Sequence, residues 1–226
     1  MNNIRSIGRW SAILATIFAI GYCITEIFSS AGLIPHPQNL YWLFAPSLFL
    51  APAFLITMIC LDHSVPVNLK IWTTIGWAFA AIYCTMITIV YFSQLTVVVP
   101  AQMQDNIGNK EVLLFDRRTF LMAVDCLGYF FMSLSTLFAA FAFRNYDKNK
   151  WLYRGLLWNG LLLPILILAF FYPVFYYAGA LWMITFPLAM INAAKFFKQT
   201  GFTRHAPKET ISTHHIDYIR STDIFN

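Results

Sequence analysis

Charge is what this sequence has least of. Asp, Glu, Lys and Arg make up 11% of its 226 residues, against roughly 25% in a soluble domain. A chain so poor in charge turns most of its surface toward something other than water. No histidine and no lysine lies in the middle of a long apolar run. That argues against a histidine-ligated haem, a multi-histidine membrane zinc site and a retinal Schiff base. There is no GxSxG, no Walker-type phosphate loop and no CxxC pair, so no catalytic motif is recognisable. The residues call for no cofactor and no metal. The four cysteines, Cys23, Cys60, Cys84 and Cys126, fall within or beside apolar segments and read as small apolar fillers. A Cys23–Cys126 disulfide is the alternative, since each lies near one of two unusual acids.

Apolar residues dominate. They form 59% of the chain, with 22 Phe and 18% aromatics, and the mean hydropathy is +0.62. The formal charge of +5 does not point to nucleic acid, because the basic residues are scattered between apolar runs. A spanning helix needs about 20 mainly apolar residues. Six segments meet that: residues 10–34, 40–61, 69–99, 119–143, 152–171 and 175–197. The third is long enough to tilt or protrude, and Pro173 reads as a tight turn between the last two. The expected fold is an all-α, six-helix membrane bundle over residues 1–198. Residues 199–226 read as a flexible polar tail, in which His214, His215 and Asp217 form a weak metal-like cluster.

Orientation follows from Lys and Arg. Twelve lie at the N-terminus, after the second and fourth spans and in the tail, against Lys110, Arg117 and Arg118 on the other side. This predicts both termini in the cytoplasm, in a bacterial inner-type membrane, as an even number of spans requires. Trp10, Trp72, Trp151 and Tyr153 fall at predicted inner boundaries. Tyr41, Trp42, Tyr172, Tyr176, Tyr177 and Trp182 fall near outer ones. Both sets read as interfacial belts. Ser29-Ser30-Ala31 resembles a signal-peptide cleavage site, but the apolar stretch before it is too long, so an uncleaved span is expected. The outer loop 100–118 has turn residues at Asn106 and Gly108, and residues 111–115 read as dipping into the interface. The spacings of Pro46, Pro52, Pro164 and Pro187 give no inverted repeat of the transporter kind. Asn159 and Asn192 read as helix-packing residues.

Two acids stand inside these spans, Glu26 and Asp125. A carboxylate in hydrocarbon costs several kcal/mol unless it is paired, protonated or wetted by a cavity. Counting about 1.5 Å per residue puts Glu26 about 12 Å, Asp125 about 9 Å and Gln94 about 8 Å from the outer ends of their spans. Three costly polar groups on three helices thus share one layer. Tyr22 and Glu26 share a helix face, as do Asp125, Tyr129 and Ser133. Tyr83, Ile87 and Gln94 share a stripe with Tyr91 close to it, and His36 falls at the mouth.

This pattern predicts an outward-opening pocket built from Glu26, Asp125, Gln94, Tyr22, Tyr91 and Tyr129. It suits binding or movement of a small lipophilic or cationic molecule, because a carboxyl removed from water can balance a cation or exchange a proton. The same residues would serve an intramembrane acid–base enzyme acting on a lipid or terpenoid. They would equally serve helix association in a structural or partner subunit. Membrane lipid is the expected partner.

Overall fold

The computed structural model describes residues 2–104, 106, 108–116, 119–145, 149–172 and 174–199. There is no strand among them. Six helices are long and apolar enough to cross a membrane: Asn3–Ser30, Gln38–Asp62, Val67–Met103, Phe120–Ala142, Lys150–Ala169 and Tyr177–Lys198. The tail beyond Gln199, with His214, His215 and Asp217, and the Pro173 turn lie outside the described residues.

Local chemistry sets where the helices stop. α1 (Asn2–Ser30) ends earlier than hydropathy alone suggests, because Gly32 takes φ +70°. There the Leu33 amide donates to the Phe28 carbonyl and the Gly32 amide to the Ser29 carbonyl, a Schellman cap that needs a residue free of Cβ strain. α2 (Gln38–Asp62) carries Pro46 and Pro52 without ending. α3 (Lys70–Ser93) runs into a π-helical turn, Gln94–Val98, and then α4 (Val99–Met103). Pro100 has no amide to give the carbonyl four residues back. The Val99 amide reaches Gln94 instead, five residues away, so the helix widens and continues. α5 (Phe120–Ala142) starts at Thr119, whose side chain accepts from the Met122 amide.

The last two spans are each interrupted. The fifth is α6 (Lys150–Gly160) and α7 (Leu163–Phe171), with turn residues at 161–162. Pro164 offers no amide to the Gly160 carbonyl, so the ladder fails there. The sixth is α8 (Phe175–Gly179) and α9 (Trp182–Lys198). Uniform apolar content hid both breaks from hydropathy.

The six long apolar segments close into a ring in chain order. α1 packs on α2, α2 on α3, α3 on α5, α5 on α6, α6 on α9, and α9 back on α1. Small residues let the backbones approach closely. A Cβ on Gly155 would lie 3.1 Å from the Ala189 Cα, and one on Gly160 would lie 2.7 Å from the Leu137 Cα. Gly8, near the start of α1, sits against Phe197 of α9 and Cys60 of α2. Both ends of the described chain therefore share one end of the bundle, called here the terminal end. The outside carries large apolar side chains, including Ile17 at 56%, Phe92 at 57% and Ile184 at 61% exposure. A shell of this kind is compatible with a multi-pass membrane protein.

The interior is aromatic. Trp182 packs on Tyr129 with ring centres 5.0 Å apart, Tyr129 on Tyr83 at 6.0 Å, and Tyr83 on Phe54 at 5.6 Å. Phe54 packs on Phe186 at 5.4 Å and Phe186 returns to Trp182 at 6.2 Å. This closed circuit joins α9, α5, α3 and α2 through edge and tilted contacts, which aromatic quadrupoles favour. Trp182 is accordingly a core residue, 8% exposed, and not the boundary anchor its position in the sequence suggests.

Candidate functional site

Asp125 lies on the inward face of α5, one turn before Tyr129 of the aromatic circuit. It is 6% exposed, and its Oδ1 has no hydrogen-bond partner. The Tyr91 hydroxyl of α3 faces the carboxyl and sits 3.4 Å from the Tyr129 hydroxyl. The buried Tyr83 hydroxyl, about two turns earlier on α3, has no partner either. Leaving such a buried polar atom unmatched costs about 1–3 kcal/mol. A buried polar atom left unmatched in a folded core calls for an explanation.

Tyr22 of α1 completes the wall. Its ring centre is 5.3 Å from Trp182, and its hydroxyl lies in the field of both Glu26 and Asp125. Tyr22 and Glu26 are half-buried, so this side is where the cluster approaches the surface. The structure thus gathers Asp125, Tyr91 and Tyr129, with Tyr22 one ring away across Trp182. His36 is exposed on the connection after α1.

Gln94 is engaged elsewhere. It is 1% exposed, and its side-chain nitrogen donates to the main-chain carbonyl of Leu113 at 2.7 Å. Nearby, the Phe115 ring packs on Phe44 and Tyr91, with centres 5.3 and 6.2 Å away. The segment at 113–115 is therefore drawn down over Tyr91. Gln94 acts as its latch, at the π-helical turn where α3 widens.

A polar stripe continues from the cluster toward the terminal end. Asp125, Tyr129, Ser133 and Thr136 recur along one face of α5. Ser133 and Thr136 are fully buried, and the Ser133 hydroxyl has no partner. Asn159 of α6, also fully buried, donates to the Thr136 hydroxyl at 3.1 Å and accepts from the Thr185 hydroxyl of α9 at 3.0 Å. Asn159 ties three helices beside the break between α6 and α7.

Asp62 escaped the sequence reading because it sits at the end of a span. It is buried, and its Oδ1 accepts from Thr73 at 2.8 Å and Thr74 at 2.9 Å, with Lys70 Nζ 4.0 Å from Oδ2. An acid closing one apolar run, just before a Thr-Thr pair opening the next, was the available signal. Asp62 is satisfied by these partners, which sets it apart from Asp125.

The cysteines form no disulfide among the described residues, so the Cys23–Cys126 bridge is not made. Cys23 directs its thiol to the Met183 carbonyl at 3.7 Å. No group of three His, Cys, Asp or Glu residues that could hold a metal occurs among the described residues. No family model, curated protein or solved structure matches this chain.

Proposed function

We propose that this protein binds a small lipophilic cation within a membrane-embedded helical bundle, with Asp125 as the counter-charge. The observation that carries the proposal is the unmatched Oδ1 of Asp125, set among Tyr91, Tyr129 and, across Trp182, Tyr22. A carboxylate supplies charge, and tyrosine and tryptophan faces supply cation–π attraction, worth about 0.5–2 kcal/mol per ring. The approach passes the half-buried Tyr22 and Glu26, where a second acid concentrates cations at the mouth. The contact between Phe115 and Tyr91 covers the side latched by Gln94.

The bundle would lie in a bacterial inner-type membrane with both termini in the cytoplasm. The lopsided distribution of Lys and Arg supports this orientation. Reporter fusions at the 100–118 loop and at the C-terminus test it: signals on opposite sides of the membrane support it, and signals on one side overturn it.

Benzyltrimethylammonium is a suitable probe, with the uncharged isostere neopentylbenzene as control. Binding to the folded state raises the unfolding temperature by mass action. Purified wild-type protein should gain thermal stability from the cation and not from the isostere, and Asp125→Asn should lose that gain while remaining folded. Equal stabilisation of wild type and Asp125→Asn would overturn the proposal in favour of a packing role. A stronger effect of the neutral isostere would favour a lipophilic substrate and the acid–base enzyme reading.

A further inference from the structure

A second site lies away from Asp125, toward the terminal end, where α6 and α9 meet. A groove of about 630 Å³ opens there on the outside of the ring. Its floor exists because Gly155 has no side chain: a Cβ would come 3.1 Å from both the Ala189 Cα and the Asn192 side-chain nitrogen. Trp151 and Trp158 stand at its two ends, 70% and 62% exposed. They are seven residues apart on α6, about 10 Å along the helix. Arg154 lies between them, its guanidinium 5.4 Å from the Trp151 ring. Leu188 forms part of the opposite wall.

The polarity of this groove is graded. Arg154 and Asn192 present donors together, and Lys150 adds a cation one turn before Arg154. Neither α6 nor α9 contains an acidic residue. Among the described residues the ion pair is Lys70–Asp62, and none involves Arg154. Arg154 stands exposed one turn into α6 with no carboxylate partner among the described residues, and an arginine so placed at a membrane boundary suits an anion from outside the chain. The rest of the groove is apolar, with Trp158 and Leu188 continuing into the lipid-facing surface. The matching occupant has a phosphate at one end and hydrocarbon at the other.

We propose that this groove is a specific site for a phospholipid with a net negative head group, whose phosphate is held by Arg154 and Asn192 and whose acyl chain lies along Trp158 and Leu188. Basic pockets between membrane helices select anionic lipids in this way. Arginine suits the task because its planar fork meets two phosphate oxygens at once while its face stacks on Trp151.

Native mass spectrometry of the detergent-purified full chain, titrated with phosphatidylglycerol or phosphatidylcholine, tests this. Wild type should retain one phosphatidylglycerol at activation energies that strip phosphatidylcholine. Arg154→Gln should reduce that retention at least five-fold. Leu188→Trp, which fills the groove and keeps the arginine, should reduce it as much, so the test stands if one variant fails to fold. Arg9→Gln, on α1 and outside the lining of the groove, should leave it unchanged. Equal retention of both lipids, or no effect of either groove variant, would overturn the proposal in favour of a general lipid annulus. A wild-type dimer that excludes lipid and is broken by Leu188→Trp would overturn it in favour of a second copy of the chain.

Discussion

The hydroxyls of Tyr91 and Tyr129 lie 3.4 Å apart on neighbouring helices, at the long edge of a hydrogen bond. They meet beside Asp125, whose Oδ1 has no hydrogen-bond partner. The proposed role of Asp125 as a counter-charge accounts for this arrangement. A core built only to associate helices would match the acid, as Thr73 and Thr74 match Asp62, or would replace it with an apolar side chain.

The first prediction follows from that contrast. Asp125→Leu, similar in shape and without the unmatched oxygen, should raise stability by about 1–3 kcal/mol. Asp62→Leu should lower it by a similar amount, because it leaves two threonine hydroxyls without their acceptor. Thermal unfolding of both variants in detergent checks this. A fall in stability for Asp125→Leu would show that the carboxyl is a structural group.

Gln94 and Phe115 make a prediction about rates. Gln94→Leu removes the 2.7 Å bond to Leu113 and frees the segment that covers Tyr91. Association and dissociation of benzyltrimethylammonium should both stay within about two-fold of wild type, because the proposed approach passes Tyr22 and Glu26, on a side this segment does not cover. Stopped-flow tryptophan fluorescence reads this directly. Rates accelerated several-fold would mean that the cation enters under this segment and not past Glu26.

The glycines at the ring seams give a packing prediction. An added Cβ at Gly160 meets the Leu137 backbone at 2.7 Å, whereas at Gly128 it meets the tip of the Ile87 side chain at 2.9 Å. Backbone cannot step aside and a side-chain tip can. Gly160→Ala should therefore cost about 1–3 kcal/mol, as overpacking does, and Gly128→Ala clearly less. The order of their unfolding temperatures decides it, and a reversed order would contradict the ring packing described here.

Asn159 supplies a fourth. Its two side-chain hydrogen bonds join α5, α6 and α9. Such bonds in membranes average about 0.6 kcal/mol, so Asn159→Leu should cost about 1–2 kcal/mol while sparing cation binding. A loss of binding with little loss of stability would extend the functional site along the α5 stripe.

The sequence disclosed the six long apolar helices because the rule of length and polarity that hydrocarbon imposes is simple, and each of the six appears. It singled out Asp125, Tyr91 and Tyr129, which the structure brings together as a candidate site, because acids in apolar helices are costly and because spacing of four residues keeps side chains on one face. It did not disclose where Gln94 points, since the bond to Leu113 depends on how a loop folds back. Nor did it disclose that Trp182 is core: a tryptophan near a span end reads as an anchor until its helix is seen to start there. The breaks at 161–162 and 180–181 were hidden by apolar residues on both sides, and only Pro164 marked the first. The groove at Arg154 was obscured because its donors come from two helices far apart in the chain.

Equilibrium dialysis of benzyltrimethylammonium against the purified protein, wild type beside Asp125→Asn and Glu26→Gln, tests the central claim most directly. The account predicts about one cation bound per wild-type chain, loss of at least ten-fold in affinity for Asp125→Asn, and a smaller loss for Glu26→Gln, since Glu26 stands at the mouth. Asp125→Asn that stays folded and binds as tightly as wild type would contradict it.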